Sequence, residues 1–150
     1  MLVIGRRLIS ILLVVLVSSM MFFSSPANAT TDTEAYFTFE IPPSSEQFTI
    51  MLTDSAKIQE ARDILSRKET DKTHVIGRII KRPANYNSKW SYQLDPASIS
   101  FFNFAIEVCD ASTEYTEDHL DEAGGAFLPG AYWCPWNSRL VKEVPSASVS

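Results

Sequence analysis

Residues 36–52, YFTFEIPPSSEQFTIML, contribute most to the choice of fold class. Residues 36–41 and 47–52 are rich in aromatic and β-branched side chains that alternate with polar ones, which indicates two strands. Pro42, Pro43 and the two serines that follow predict the turn between them. The stretch therefore predicts a β-hairpin.

A helix is predicted directly after this hairpin. Thr53 and Asp54 supply an N-cap. Apolar side chains recur at helical spacing behind the cap, at Ile58, Ala61, Ile64 and Leu65. We expect the helix to cover residues 55–67.

A second helix is predicted over residues 113–123. Residues 110–112, Asp-Ala-Ser, would cap its start, and Gly124 and Gly125 would end it. Three further segments predict strands: 73–81, with Gly77 as a candidate bulge, 90–94 and 139–144.

Two stretches are harder to assign. Residues 99–109 fit one face of either a strand or a helix, and their aromatic and β-branched content favours a strand. Residues 127–136 hold too many prolines and aromatic residues for a regular element, so we expect an ordered loop. The whole pattern predicts an α+β fold, in which two helices pack on a small, mostly antiparallel sheet.

Residues 1–29 are typical of a secretory signal peptide. Arg6 and Arg7 precede an apolar run over residues 8–23, and Ala-Asn-Ala at residues 27–29 matches a cleavage site. An uncleaved anchor and a twin-arginine signal are the alternatives. We expect one secreted or periplasmic domain of residues 30–150, with its core at 36–144 and without stable membrane insertion after cleavage.

The charge of this domain is negative and unevenly spread. The chain has 13 basic and 18 acidic residues, so removing the two signal arginines leaves 13 − 2 = 11 basic residues and a net charge of −7. This balance argues against a nucleic acid or an anionic membrane as partner. Residues 57–89 are mainly basic, and 95–122 carry acids without Lys or Arg. Two differently charged solvated faces or a polarised binding surface would explain this.

Cys109 and Cys134 are the two cysteines of the chain. An even pair in an exported domain predicts a disulfide. It would close a loop of about 26 residues and stabilise the fold by about 3 kcal/mol. A catalytic Cys/His pair with His74 or His119, or a zinc site from the same residues, remains an alternative.

The acidic residues around the second predicted helix are candidate ligand-binding residues. Like charges at this spacing repel one another, which a cation or a basic partner would offset. Calcium would suit these oxygen ligands, although the sequence lacks a calcium-loop motif, and a solvated acidic surface is the alternative. The acids are Asp110, Glu114, Glu117, Asp118 and Asp121.

Aromatic residues form the second candidate binding set. Together they could line a groove for sugar rings or a peptide, whereas buried Trp and Tyr more often belong to a core. The set consists of Trp90, Tyr132, Trp133 and Trp136, together with Tyr86. Among them, Tyr132 and Trp136 are the expected surface residues because they lie in the predicted loop.

Catalytic patterns are sparse. Ser98 or Ser100 could meet a histidine, but no G-x-S-x-G motif is present. Asp110 or Glu107 with His74 would be the alternative set for a small hydrolase. A chain of this size without a Gly-rich loop or a clear metal set favours a binding protein over an enzyme, and we expect no cofactor, with calcium as the alternative.

Several segments resemble a family of small secreted bacterial domains. They are LTD at 52–54, ETDKTHVIG at 69–77, YN at 86–87, WSYQLDPASI at 90–99, AIEVCD at 105–110 and WCPW at 133–136. The family is often labelled "calmodulin-binding protein" by distant similarity to a slime-mould protein. The resemblance spans roughly residues 36–144, and Gln93 stands where such sequences are expected to have a histidine.

This resemblance implies secretion, is consistent with one disulfide and supplies no catalytic residues or ligand. A calmodulin target would need a basic amphipathic helix. Residues 55–68 mix basic and acidic side chains, and the core needs their apolar face. We therefore treat calmodulin binding as an inherited name.

The sequence thus predicts a secreted, non-enzymatic binding module. Its surface would combine the aromatic loop 127–136 with the acidic helix 110–122, and its partner would be calcium, a protein, a peptide or a glycan. A protease-inhibitor-like module that presents the loop around Pro135 is the alternative, and a small hydrolase is the third hypothesis.

Overall fold

The computed structural model describes residues 33–105 and 107–148. The predicted signal peptide, residues 1–29, lies outside the described residues, as does Ile106 of the ambiguous stretch. None of the helices in the described ranges has the length and hydrophobicity that crossing a membrane requires.

Nine strands, two α-helices and four short 3-10 helices make up the described part of the chain. The strands are β1 Ala35–Glu40, β2 Gln47–Leu52, β3 His74–Ile80, β4 Gln93–Leu94, β5 Ser100–Phe102, β6 Ala123–Gly124, β7 Phe127–Pro129, β8 Tyr132–Trp133 and β9 Arg139–Val144. The α-helices are α1 Ser55–Leu65 and α2 Thr113–Asp118; the 3-10 helices are Asn85–Asn87, Pro96–Ser98, Glu107–Cys109 and Ser146–Ser148.

The strands form two antiparallel sheets and one small parallel pair. β2, β1 and β9 form the first sheet in that order, and β3 pairs with β4, β5 and β8 in the second. β6 and β7 pair in parallel. With two helices, this arrangement confirms the predicted α+β class.

The predicted hairpin is confirmed. β1 and β2 pair from Ala35 opposite Leu52 to Glu40 opposite Gln47. The alternation places Phe48, Ile50 and Leu52 in the core. β9 adds to the other side of β1, where the register shifts between Thr38 and Phe39.

Helix α1 follows the hairpin as predicted and ends two residues early. The Asp54 carboxylate accepts hydrogen bonds from the amides of Ala56 at 2.9 Å and Lys57 at 3.0 Å. The helix ends at Leu65, and Arg67 has a φ of 61°, which a continuing α-helix does not allow. The apolar face is buried in the core.

Gly77 is not a bulge in the described pairings but a point of close packing. It lies within β3, which pairs in turn with β5, β8 and β4. A Cβ atom at Gly77 would lie 3.0 Å from Leu94 Cδ1 and 3.2 Å from Ile99 Cγ1. The glycine is therefore required by tertiary packing rather than by strand irregularity.

Two predicted strands are much shorter in the structure. Of residues 90–94, only Gln93 and Leu94 form a strand. Of residues 99–109, only Ser100–Phe102 does, and Glu107–Cys109 form a 3-10 helix. The prediction of a longer strand with one buried face is wrong, because Phe104 is 83% exposed and Val108 is 56% exposed.

The second predicted helix ends at Asp118 rather than at residue 123. Ser112 caps it by accepting a hydrogen bond from the Tyr115 amide at 3.1 Å. The residues beyond Asp118 include Asp121 and Glu122, and acids at a helix C-terminus oppose the helix dipole. The acid-rich segment is therefore only partly helical.

The segment 127–136 is more regular than predicted. It contains β7 and β8, and Trp133 of β8 pairs with Gly77 in the second sheet. Trp133 also closes an aromatic cluster: its ring centroid lies 5.7 Å from Phe39, 5.2 Å from Phe48 and 5.5 Å from Tyr92. This cluster joins the two larger sheets in one core.

Candidate binding groove

The disulfide between Cys109 and Cys134 is confirmed. The two Cα atoms lie 5.1 Å apart, and the Cys134 amide donates a 2.8 Å hydrogen bond to the Cys109 carbonyl. The bridge fastens the segment after β5 to the end of β8. Because both sulfurs are bonded to each other, neither serves as a catalytic thiol or a zinc ligand.

An apolar groove lies beside this disulfide. It has a volume of about 460 Å³ and is formed by β3, by Ala105, Val108 and Cys109 and by the β7–β8 segment. Its lining residues are Ile76, Ala105, Val108, Cys109, Pro129 and Tyr132.

Side chains alternate between the two faces of β3, and one of these faces forms a side of the groove. Val75 and Ile79 are buried, whereas Ile76 and Arg78 lie on the opposite face of the strand. Arg78 is paired with Tyr132 across the ladder. Its guanidinium carbon lies 5.0 Å from the Tyr132 ring centroid, and Nη2 donates to the Tyr132 hydroxyl at 3.2 Å. The contact is a cation–π interaction that orients both side chains.

Exposed apolar side chains gather around this groove. Four large apolar residues are exposed in the described ranges, and two of them, Val108 and Tyr132, line the groove. A third, Phe104, precedes lining residue Ala105, and its ring lies 6.3 Å from Trp136. Singly exposed apolar residues are ordinary, whereas a cluster of them marks an interaction surface.

Trp136 and Asp110 meet next to the disulfide. The Trp136 amide donates a 3.0 Å hydrogen bond to the Asp110 carboxylate. Trp136 is half-buried, and its indole Nε1 is buried without a hydrogen-bond partner in the described part of the chain. The sequence singled out both residues, and the structure brings them together through a hydrogen bond from a backbone amide to a side-chain carboxylate.

Two of the predicted ligand-binding aromatics, Trp90 and Trp133, belong to the core. Trp133 is 0% exposed, and its indole donates to the Ala111 carbonyl at 2.9 Å. Trp90 is 5% exposed, and its indole donates to the Gln47 carbonyl at 3.0 Å. Their rings are covered because each closes a gap between elements, so burial argues against both as ligand-binding rings, although Trp90 still lines a shallow depression. Tyr132 remains at the surface, as expected.

Tyr86 and Gln93 form a partly buried polar pair. The Tyr86 hydroxyl donates to Gln93 Oε1 at 2.9 Å, and burial raises the pKa of Tyr86 to about 12. The Gln93 amide nitrogen donates to the Pro83 carbonyl at 3.2 Å. Gln93 therefore ties neighbouring backbone together, a role that an amide fills without titrating.

The predicted acidic residues are dispersed and mostly used within the fold. Glu114 accepts from the Ser44 hydroxyl at 2.9 Å, and its own backbone amide, followed by Ser44, lowers the pKa of its carboxyl. Glu117 accepts from the Ser91 amide at 3.0 Å. Asp121 lies beyond α2, where its carbonyl accepts from Lys81 at 3.0 Å.

Part of this acidic set lines a shallow depression. Glu114, Glu117 and Asp118 share it with Trp90 and with Lys89 and Glu46, which form an ion pair with each other. Across residues 33–105 and 107–148, no group of three His, Cys, Asp or Glu side chains is placed to hold a metal ion.

The candidate catalytic residues hold backbone in place. His74 Nδ1 lies 2.8 Å from the Ser138 carbonyl, and His119 Nδ1 lies 2.9 Å from the Tyr115 carbonyl. The Ser98 hydroxyl donates to the Asp95 carbonyl at 2.7 Å and accepts from the Arg78 amide at 2.8 Å. No described contact joins Ser98 to either histidine.

Sequence reasoning missed several residues in the groove or beside it. Ile76, Phe104, Val108 and Arg78 were interpreted as parts of strands. Arg78 interrupts the apolar run of β3 on its outer face, a signal that marks an exposed face but not what lies against it. The position of the groove depends on the disulfide and on β8, whose contacts are distant in sequence.

The fold and groove define a class: an α+β domain with two antiparallel sheets and one disulfide beside an exposed apolar groove. The family model described as the BP-74 N-terminal domain matches residues 33–147, and the chain belongs to this family. The family name is a calmodulin-binding-like one, in agreement with the resemblance found in the sequence. No curated protein and no solved structure matches the chain.

Proposed function

We propose that this protein is an exported, non-enzymatic binding module whose groove receives an apolar side chain of a peptide or protein. The observation that carries the proposal is the cluster of exposed apolar residues around the disulfide. Val108 and Tyr132 line the groove, which has a volume of about 460 Å³. This size lies within the usual range of small-ligand sites, roughly 300 to 1,000 Å³.

The groove is supported by rigid neighbours, which reduces the entropy lost on binding. On one side it rests on β3, the central strand of its sheet. On the other side the disulfide and the Asp110–Trp136 hydrogen bond hold Cys109 and Asp110 against the β8 end. A preformed groove needs little ordering when a ligand arrives.

Export supports the same proposal. Residues 1–29 have the order of a signal peptide, and a disulfide persists in an oxidising compartment. In a secreted or periplasmic setting, peptides and proteins with exposed apolar side chains are suitable partners.

The alternatives have less support. The apolar face of α1, which a calmodulin-bound helix would present, is buried at Ile58, Ala61 and Ile64. Glu114 and Glu117 are engaged by Ser44 and Ser91, which leaves calcium fewer free ligands. Pro135 is buried, whereas an inhibitory loop would expose its central residue.

The test is an NMR titration with a neutral apolar fragment, N-acetyl-phenylalaninamide. The full chain is exported from a bacterial host and purified in its oxidised form. With roughly 15 non-hydrogen atoms at about 0.3 kcal/mol each, the fragment should bind with a Kd near 1 mM. We expect chemical-shift changes confined to the amides of Ile76, Ala105, Val108, Cys109 and Tyr132.

Two variants make the test specific. Val108→Asp places a charge on the groove at an exposed position, so it should weaken fragment binding at least tenfold without unfolding the domain. Tyr115→Ser is the control for the loss of an exposed apolar side chain, because Tyr115 is 52% exposed and does not line the groove. Shifts scattered over the surface, or equal binding by the Val108→Asp variant, would refute the proposal.

A further inference from the structure

We infer that the natural occupant of the groove is an extended peptide segment with a carboxylate next to its apolar side chain, and that Arg78 binds this carboxylate. The inference rests on the proposed function and names its ligand class. It follows from the position and the pairing of Arg78.

Arg78 has no carboxylate partner within residues 33–105 and 107–148. Arg62 pairs with Glu143 and Arg139 pairs with Glu40, whereas Arg67 and Arg82, like Arg78, form no ion pair among the described residues. The described contacts of the Arg78 guanidinium are with Tyr132, through one hydrogen bond and its ring face. Nε and Nη1 are left as donors.

The position of Arg78 sets it apart from the other exposed cations. It lies two residues after Ile76 on the same face of β3, and Tyr132 lies across the ladder from it. Residues two apart on a strand are separated by about 7 Å. A ligand that packs an apolar side chain against Ile76 therefore places its next polar group beside Arg78.

The stacking of Arg78 on Tyr132 prepares it for a carboxylate. An arginine held by an aromatic ring loses less side-chain freedom on binding, and its planar fork matches a carboxylate with two parallel hydrogen bonds. Sites for phosphate groups use clusters of arginines, whereas Arg78 stands alone beside the lining residue Tyr132. A peptide carboxylate fits this single cation better than a phosphate.

The surrounding charges orient the ligand. Asp110 directly follows the lining residue Cys109, and its carboxylate is exposed beside Trp136. A second negative charge at that side would be repelled. The carboxylate of the ligand therefore lies at the Arg78 side of the groove, and the apolar side chain lies towards Cys109 and Val108.

The experiment compares two fragments that differ only in their terminal group, N-acetyl-phenylalanine with a carboxylate and N-acetyl-phenylalaninamide with a neutral amide, on the protein produced as above. At low salt the acid should bind about two- to fivefold more tightly, which is the effect of one exposed ion pair. The preference should disappear in 1 M NaCl, where the Debye length is about 3 Å.

Arg78→Gln should bind both fragments with the affinity of the amide, because the long polar side chain is kept and the charge is lost. The Arg78 amide, which donates to Ser98 Oγ, is unaffected by this change. Arg82→Gln removes another exposed charge away from the groove and should keep the preference. Arg78→Lys keeps the positive charge but lacks the planar guanidinium, so it should retain part of the preference for the acid.

The outcomes separate the two proposals. If both fragments shift the groove amides with equal affinity, the carboxylate inference fails and the binding function stands. If neither fragment shifts them at 20 mM, both proposals fail. A preference for the acid that survives in the Arg78→Gln variant would also overturn the role of Arg78.

Discussion

Residues 35–65 and residues 99–136 both bury apolar side chains, but they are held in place by different kinds of contact. The first region consists of two six-residue strands and an eleven-residue helix, joined by ladder and helix hydrogen bonds. The second consists of strands of two or three residues and a six-residue helix. Besides the short ladders of β5 and β8 with β3, it is held by the disulfide and by side-chain bonds such as Trp133 to the Ala111 carbonyl.

The difference explains where the groove is. Regular strands direct alternate side chains into the core, so β2 leaves no large apolar side chain exposed. The segment after β5 follows no such repeat, and it carries Phe104 and Val108 at the surface. Segments of this kind on a rigid scaffold are where proteins usually place binding residues.

The largest expected effect comes from breaking the contact between the two regions. Phe48 of β2 packs its ring on Tyr92 at 5.0 Å and on Trp133 at 5.2 Å. Phe48→Ala should lower the free energy of unfolding by about 3 to 5 kcal/mol, as measured by denaturant titration. Phe104→Ala, at an 83% exposed position, is the control and should change it by less than about 0.5 kcal/mol. Similar losses in both variants would mean that the two regions do not depend on this contact.

Removing the disulfide should affect the second region more than the first. The double variant Cys109→Ala with Cys134→Ala should lower the free energy of unfolding by about 3 kcal/mol, as expected for a loop of this length. In hydrogen exchange, amides of residues 109–134 should lose more protection than those of α1. The reduced wild-type protein serves as the control and should behave like the double variant. Uniform loss across both regions would show that they unfold together.

The smallest expected effects compare the two helix caps. Asp54 accepts from two amides and Ser112 accepts from one. Each substitution by alanine should lower the free energy of unfolding by about 1 kcal/mol, and Asp54→Ala should lower it more than Ser112→Ala. Asp54→Asn keeps a capping oxygen and should recover most of the loss in thermal melts. A larger loss of stability for Ser112→Ala would mean that α2, although it is shorter, contributes more to stability than α1.

Local signals predicted the first region well. The alternation of 36–41 and 47–52 and the cap at Asp54 act between near neighbours in the chain, so they can be interpreted without knowledge of the fold. The pairing of Cys109 with Cys134 was also predictable, because the sequence holds only two cysteines. Tyr132 was correctly expected at the surface.

The same signals failed where distant contacts decide the structure. Residues 99–109 have the composition of a strand, but the chain leaves the sheet after Phe102 and reaches Cys109 through a 3-10 helix. Trp133 was expected in a loop, but it is fully buried because β8 pairs with β3. Periodicity alone identifies neither the point at which the chain leaves the sheet nor the pairing of β8 with β3.

By itself, the sequence determined the α+β class, the hairpin with its capped helix and the disulfide, because these depend on short-range patterns and a unique pair of cysteines. The tertiary structure alone decided the groove. Ile76, Val108 and Tyr132 come from three separate segments, and they meet because β3 pairs with β8 and the disulfide holds Cys109, the neighbour of Val108, beside the end of β8. The position of Arg78 beside an apolar surface follows from that pairing, which no local pattern encodes.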